Sequence, residues 1–338
     1  MVISAVSSVS TPGVLVTMIP FFFAAGLWAA LAIPLWLLIF QGSLDLPTGL
    51  DFTAWHAHEM IYGFAAAVIA GFLLTAIPNW TGRLPLQGRP LALLVAAWLA
   101  GRIAVATSGL LGAGLAAVID LAFLVALLGF VLREIIAGRN WRNLPMPLAL
   151  LLLITANVLF HLQAAGLVES GALGERLAIA AVVQLIPLIG GRVIPSFTRN
   201  WLAKRGATAL PAPFGGFDKL CLLATLVALA GWVIAPEHRI AGALLVVAGA
   251  LNLVRALRWQ GRQTLAEPLL WSLHLGFLWV PLGLLLLGLG VLLPQTLAPT
   301  AGLHALTAGA IGGMTLAVMT RASLGHSGRA LTADSWTT

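Results

Sequence analysis

Ten long apolar runs constrain this chain more than any other feature of its sequence. Each is comparable in length to the ~20 residues that a helix needs to cross a bilayer, and none shows the period-two alternation of a strand. The predicted spans are Val14–Phe40, Trp55–Ile77, Pro90–Gly109, Leu111–Ala137, Pro145–Ala165, Gly174–Val193, Phe217–Ile234, Ile240–Trp259, Pro268–Leu292 and Thr300–Thr320. The sequence therefore predicts an all-α, polytopic transmembrane bundle of about ten spans.

The composition excludes a soluble globular protein. Apolar residues make up 60% of the 338 residues and charged residues only 9%, whereas soluble domains carry about 25% charged residues. No soluble domain interrupts the runs, so we expect residues 1–338 to form a single integral membrane domain with a polar tail at 322–338. The N-terminus lacks the basic segment that precedes the apolar part of a cleaved signal peptide.

The distribution of Lys and Arg predicts the orientation, because cytoplasmic loops collect these residues. Every second connection is rich in them, and the longest, Arg192 to Gly216, is expected to face anionic lipid headgroups. The alternate connections carry mainly acidic residues such as Asp45, Asp51 and Glu169. Both termini are therefore expected in the cytoplasm. The same scattered charges account for the net charge of +7, so we predict no nucleic-acid partner.

Several familiar sites are missing from the sequence. The single cysteine, Cys221, excludes an intramolecular disulfide and a cysteine-based zinc or iron–sulfur site. There is no Walker-type loop, nucleophile elbow or HExxH metalloprotease motif. The Gly190-Gly191 pair is expected to end a helix, and no internal repeat is evident.

Ionisable residues inside the spans are candidates for function because they are costly in lipid. The second span opens with three of them, His56, His58 and Glu59. On an α-helix, residues two apart point about 200° apart, so His56 and His58 are not expected to bind one metal from one helix face. His56 shares a face with Glu59, and His58 shares one with Tyr62. Alternatively, the group lies at the interfacial end of the helix and bonds to loop backbone.

Histidines of two other spans are predicted at the depth of this cluster. Counting about 1.5 Å per residue from the non-cytoplasmic ends places His161 of the fifth span and His304 of the tenth beside it. Asn157 lies one turn deeper than His161. Imidazoles on facing helices suit a metal ion or a haem. A shared site and a set of separate interfacial histidines both stay open.

Three further ionisable residues lie within spans. His274 of the ninth span is either part of a second ligand layer or hydrogen-bonded to a neighbouring helix. Arg102 and Asp120, on two helices joined by a very short turn, are expected to form a buried ion pair. The alternative is that Arg102 holds a haem propionate or an anionic substrate. His238 and His326 are expected in solvated loops.

Three blocks of sequence resemble the NnrS family. The first reads WHAHEMIYG at residues 55–63 and continues to IPNWTG at 77–82. The second reads GGRVIPSFTRN at 190–200. The third reads HALTAGAIGGMTLAVMTR at 304–321 and is followed by GHSG at 325–328. The motif residues in these blocks are His56, His58, Glu59, Asn79, Trp80, Arg192, Arg199, Asn200, His304, Arg321 and His326.

The resemblance implies a bacterial inner-membrane protein linked to nitric oxide, denitrification and nitrosative stress, which holds haem, copper or both. Family members generally have about twelve spans, more than are predicted here. The expected partners are the lipid bilayer, nitric oxide, and respiratory or denitrification proteins. With the depth argument, the candidate cofactor-binding residues are His56, His58, His304 and Arg102, and the candidate metal ligands are His56, His58, Glu59, His161, His274 and His304.

Two other functions compete with this interpretation. Basic loops, intramembrane Gly and Pro residues and the Arg102/Asp120 pair also fit a transporter for a small anion or a metal ion. A further alternative is an assembly partner of a respiratory complex. Whether the protein catalyses a reaction is left open by the sequence.

Overall fold

A computed structural model describes residues 12–169, 171–327 and 331–333. Ten helices in these residues are long and apolar enough to cross a membrane, and none of these residues forms a strand. The helices are α1 (Thr17–Phe40), α2 (Phe52–Thr81), α3 (Arg89–Ala106), α4 (Ala113–Ala137), α5 (Trp141–Ala164), α6 (Leu173–Lys204), α7 (Gly216–Ile234), α8 (Arg239–Leu257), α9 (Pro268–Leu292) and α10 (Pro299–His326). The predicted all-helical, multi-pass architecture with ten spans is confirmed, and the cytoplasmic location of the termini stays a prediction.

The helices form two compact units. The first unit comprises Met1–Ala178 with Gly325–Arg329, and the second comprises Ile179–Leu324 with Ala330–Thr338. In the first unit, α1 packs on α2, α3 on α4, and α4 on α5. In the second unit, α8 packs on both α7 and α9, and α9 packs on α10. Since lipid is as apolar as the helix surfaces, such contacts depend on close packing between small residues rather than on exclusion of water.

Gly302 of α10 shows how closely two helices of the second unit approach. A Cβ atom at this position would overlap the backbone of Leu287 in α9. We therefore expect Gly302→Ala to lower the free energy of unfolding by about 1–3 kcal/mol through overpacking, measured by thermal unfolding in detergent. Gly129→Ala in α4 is the control, because no atom lies within 4 Å of its Cβ position. Equal losses in the two variants would contradict this prediction.

Helix α2 begins at Phe52 rather than at Trp55 because Asp51 caps it. The Asp51 Oδ1 atom accepts hydrogen bonds from the backbone N–H groups of Thr53 at 2.8 Å and Ala54 at 2.9 Å, as is usual for an N-cap aspartate. The earlier start adds about 4.5 Å to the depth of His58 at 1.5 Å per residue. His58 is thus six residues into the helix rather than three, and its side chain is buried in the first unit.

Three helices contain a π-helical segment, in which backbone hydrogen bonds join residues five apart. The segments are Glu59–Ala65 in α2, Ile186–Gly190 in α6 and Ala305–Gly312 in α10. Two of them begin directly after a motif histidine, His58 or His304. π-helical segments are rare overall, but those that occur are often found at functional sites. Their position directly after His58 and His304 makes these histidines candidates for function.

Helix α6 continues through Gly190 and Gly191, so the prediction that this pair ends a helix is wrong. The buried Arg255 of α8 explains the continuation. Its guanidinium donates hydrogen bonds to the carbonyl of Pro187 at 3.0 Å and to that of Gly191 at 3.5 Å. These contacts stabilise the carbonyl groups at the irregular π turn, and a side chain at position 191 would overlap Arg255.

Two of the predicted connections are partly helical. The predicted loop from Arg192 to Gly216 is helical as far as Lys204, because α6 does not end at the glycine pair. His326, expected in a loop, is the last residue of α10. The prediction for His238 is confirmed: it is exposed, and its Nδ1 atom caps α8 by accepting from Ile240 N at 3.2 Å.

A short repeat links the helices that carry π segments. Residues 190–199 read GGRVIPSFTR, and residues 312–321 read GGMTLAVMTR. In both, the first glycine ends the π segment and the second begins an α-helical segment. In addition, IPNWT at 77–81 matches IPSFT at 194–198. The first match becomes visible when α6 and α10 are aligned by the ends of their π segments.

Candidate metal centre

Three side chains from three helices meet in the interior of the first unit: His58 of α2, Asp120 of α4 and His161 of α5. The Asp120 Oδ2 atom lies 3.1 Å from His58 Nε2 and 3.0 Å from His161 Nε2. The three donor atoms lie within 4.8 Å of one another. Among the described residues, no other group of three or more His, Cys, Asp or Glu side chains converges in this way. We term these three residues the buried cluster.

Asn157 of α5 fixes the carboxylate of Asp120. Its Nδ2 group donates to Asp120 Oδ2 at 2.7 Å, and its Oδ1 atom lies 3.1 Å from His58 Nε2. Asn157 precedes His161 by one helical turn, so both side chains reach the same carboxylate. The sequence places Asn157 near this depth but does not show that it binds Asp120.

The predicted ion pair between Arg102 and Asp120 is confirmed. The second terminal nitrogen of Arg102 donates to Glu59 Oε1 at 2.7 Å, and all three side chains are buried. Arg102 therefore bridges two carboxylates. Both of its terminal nitrogens are engaged in these ion pairs, whereas its buried Nε has no hydrogen-bond partner among the described residues. A role of Arg102 in holding a haem propionate or an anionic substrate stays a prediction.

Glu59 lies behind His58 rather than beside the other ligand atoms. Its Oε1 atom is 3.1 Å from His58 Nδ1, so a proton on Nδ1 leaves Nε2 free to offer its lone pair to a metal ion. A carboxylate in this position fixes the tautomer of a metal-binding histidine and raises its basicity. The sequence interpretation had Glu59 among the candidate ligands, whereas the structure gives it the geometry of a group that orients a ligand.

The charges buried around the cluster do not balance. Glu59 and Asp120 carry two negative charges and Arg102 carries one positive charge, which leaves one negative charge when both histidines are neutral. A buried net charge is costly unless a cation compensates it. The compensating positive charge can come from protonation of one histidine or from a metal ion bound at the cluster.

Buried polar atoms without a hydrogen-bond partner lie close to the cluster. Among the described residues, these include Tyr62 OH, Glu59 Oε2 and Trp28 Nε1. Gly63 leaves room between the last two, since a Cβ atom there would lie 2.9 Å from Glu59 Oε2 and overlap Trp28 Nε1. Each unpaired buried group costs about 1–3 kcal/mol. Such atoms call for a partner, for which a water molecule or an ion is suited.

The donor set fits a small transition-metal ion. Bonds of about 2.0–2.1 Å in a tetrahedral arrangement place neighbouring ligand atoms about 3.3–3.4 Å apart. The separations of 3.0 and 3.1 Å at Asp120 Oδ2 are close to that spacing. Two imidazoles and one carboxylate form a set that copper, zinc and non-haem iron accept.

A haem does not fit at His58. Its Nε2 atom is enclosed by Asp120 Oδ2 and Asn157 Oδ1, both 3.1 Å away. The imidazole ring packs against the rings of Tyr62 and Phe160, with centroid distances of 4.7 and 4.9 Å. A macrocycle bonded to this nitrogen would displace the side chains that hold the ring in place.

Comparison with known proteins places the chain in a family. A family model described as "NnrS protein" matches residues 18–338, which is nearly the whole chain. The chain belongs to the NnrS family. No curated protein and no solved structure matches it. The resemblance indicated by the three sequence blocks is therefore confirmed.

The first motif block of this NnrS-family chain contributes two kinds of residue. His58 and Glu59 join the buried network, whereas His56 is half-buried and stacks on Trp36 of α1 at a centroid distance of 4.3 Å. The expectation that His58 shares a face with Tyr62 is confirmed by the contact of their rings. The expectation that His56 shares a face with Glu59 stays a prediction; the Glu59 carboxylate contacts His58 and Arg102.

The other candidate ligands of the NnrS chain belong to the second unit. His304 is exposed, and its Nδ1 group donates to the carbonyl of Thr300 at 2.9 Å. His274 is buried, and its Nε2 atom lies 2.8 Å from the hydroxyl of Thr198 in α6. This is the hydrogen bond to a neighbouring helix that one interpretation of His274 requires. Metal-binding roles for His304 and His274 stay predictions.

The second unit of the NnrS chain contains a buried ion pair that sequence analysis misses. Arg255 Nε donates to Asp218 Oδ1 at 2.9 Å, and both side chains are buried. Asp218 lies in the first turn of α7 and Arg255 in the last turn of α8. Such positions at helix ends predict two separate charged residues at the membrane interface. Their positions at the same end of two consecutive antiparallel helices are the signal that predicts the pair.

Proposed function

We propose that this NnrS-family protein binds a copper ion through His58, Asp120 and His161 and uses the site in the bacterial response to nitric oxide. The convergence of three metal-ligating side chains from three helices carries the proposal. Each of these side chains is costly to place within a membrane protein. A network needed only for stability is replaceable by apolar residues of similar volume.

Two features of the surrounding network support a bound cation. The buried carboxylates exceed the buried guanidinium by one charge. Glu59 and Asn157 in turn hold His58 and Asp120 in fixed orientations, which is how outer groups organise the ligands of a metal site. The chain thus supplies three metal ligands, two side chains that orient them, and an uncompensated negative charge at one position.

Copper is the metal that we favour. Among divalent first-row metals, copper binds most tightly to a given set of nitrogen and oxygen ligands, and the family resemblance implies copper. Two histidines and one carboxylate are also the ligands of non-haem iron(II) sites. Metal analysis of the purified protein distinguishes these two ions.

Nitric oxide is the ligand class that we propose for the site. The NnrS family suggests a function related to nitric oxide. A small uncharged molecule enters the apolar interior of a helical membrane protein without the cost that an ion pays. A bound redox-active metal supplies a centre for coordination and electron exchange, while the protein orients the ligands and keeps them from bulk water. We propose the bacterial inner membrane as the location.

His304 is the residue that fits a haem, the second cofactor that the resemblance implies. Its Nδ1–H group is held by the Thr300 carbonyl, so the lone pair belongs to Nε2. Histidines that ligate metals commonly have their other nitrogen anchored in this way. The exposed side chain also lacks the enclosure that excludes a macrocycle at His58. We propose that a haem in this protein is ligated by His304.

The copper content of purified variants tests the proposed metal site. Wild-type protein expressed with copper is expected to retain stoichiometric metal after dialysis in detergent. His58→Ala and His161→Ala are each expected to lose it, because each removes one of three ligands. The matched control is His274→Ala, a buried histidine outside the cluster. A wild-type protein without metal, or an equal loss in the control, overturns the proposal.

A further inference from the structure

Tyr62 is the single tyrosine of the chain, and it lies against the buried cluster. It belongs to the π-helical segment of α2, and only 2% of the residue is exposed. Its ring contacts the His58 imidazole at a centroid distance of 4.7 Å. The phenol is therefore in direct contact with one of the proposed metal ligands.

The hydroxyl group of Tyr62 is buried, and it has no hydrogen-bond partner among the described residues. A phenylalanine fills the same space without the cost of burying an unpaired hydroxyl. Buried tyrosines usually find a partner for this group. Packing within the protein therefore accounts for the ring of Tyr62 but not for its oxygen.

Another unpaired buried polar atom of the first unit belongs to α6. Glu175 Oε2 is buried without a hydrogen-bond partner among the described residues. The neighbouring Gly174 allows the start of α6 to pack closely against α5, since a Cβ atom there would lie 2.8 Å from the Phe160 backbone nitrogen.

We propose that the Tyr62 hydroxyl donates a hydrogen bond to a small exogenous ligand that shares the buried cluster with the metal. This inference rests on the proposed function, because it needs the metal at His58, Asp120 and His161. The chemical class is a small uncharged molecule with an exposed lone pair, such as nitric oxide or carbon monoxide. A larger ligand is disfavoured by the rings packed around His58, and an anionic ligand by the buried carboxylates of Glu59 and Asp120.

Carbon monoxide on the Cu(I)-loaded protein provides the probe. We expect one infrared band for bound carbon monoxide in the wild type and a shift of this band to higher frequency in Tyr62→Phe, because a hydrogen bond to the ligand weakens its internal bond. Thr75→Val is the matched control. It removes a buried hydroxyl from the same helix, but that hydroxyl is bonded to the Gly71 carbonyl at 2.8 Å.

The single tyrosine also gives a readout that does not depend on activity. Protein labelled with 13C at the phenol carbon of tyrosine is expected to show one signal, absent from Tyr62→Phe, that moves when carbon monoxide is added to the Cu(I) form. Tyr62→Phe without metal is expected to unfold at a higher temperature than the wild type, since it removes a buried hydroxyl that has no protein partner among the described residues.

The outcomes separate this inference from the proposed function. Failure of the wild type to retain copper overturns both. Copper retention with an unchanged band in Tyr62→Phe and an unmoved tyrosine signal overturns the role of Tyr62 alone. Copper retention without uptake of carbon monoxide also overturns it, because no exogenous ligand then shares the cluster.

Discussion

Asp120→Asn is expected to abolish copper binding and to lower the free energy of unfolding by about 1.5–3 kcal/mol, the range for hydrogen bonds to charged groups. One carboxylate oxygen of Asp120 accepts from Arg102. The other meets both histidines of the buried cluster and the amide of Asn157. An amide at this position removes the anionic ligand. Its NH2 group would also replace an acceptor oxygen and would face the hydrogen-bond donors around it, such as the amide of Asn157. Metal analysis and thermal unfolding in detergent measure the two effects.

The second unit supplies a matched control for this substitution. Asp218 is also buried and accepts from a buried arginine, Arg255, but it belongs to no converging group of ligands among the described residues. Asp218→Asn is therefore expected to lose stability in the same range and to retain copper. Wild-type copper affinity in Asp120→Asn, with the protein folded, would show that Asp120 is not a ligand.

The number of spans follows from the sequence because lipid leaves few alternatives. A segment that crosses the bilayer must satisfy its backbone internally and present about 20 apolar residues, and such runs are visible directly in the chain. Helix ends are less predictable. Asp51 extends α2 through a local cap, whereas α6 continues past Gly191 through a distant side chain, Arg255. The first signal is local in sequence, and the second exists only after the helices pack.

The depth argument predicts part of the candidate site. His58 and His161 are expected in one layer, and the structure brings them to the same carboxylate. The depth count does not predict that Asp120 joins them, because a start of α2 at Trp55 places His58 too near the membrane surface. Depth also says nothing about rotation around the helix axis. The contacts of Glu59 with His58 and Arg102 depend on that rotation, so its role requires the folded chain.

Arg102→Met is expected to have the larger effect on stability, about 3–5 kcal/mol, since it removes the cation from a buried pair. Methionine keeps much of the apolar stem but leaves the carboxylates of Glu59 and Asp120 without the guanidinium between them. The net negative charge of the network then rises from one to two when the histidines are neutral. Because a bound copper ion would compensate this charge, the copper affinity of the folded fraction is expected to rise, opposite to the effect of Asp120→Asn.

A second substitution tests whether charge is the cause. Glu59→Gln in the Arg102→Met background restores the net charge of the wild type, so the double variant is expected to unfold at a higher temperature than Arg102→Met. A double-mutant cycle gives the coupling energy. The control is Arg255→Met, which Asp218→Asn is expected to rescue and Glu59→Gln is not, because no described acidic residue pairs with both Arg255 and Arg102. Equal rescue of both arginine variants by Glu59→Gln would mean that the gain is not electrostatic, and the charge argument for a bound cation would then fail.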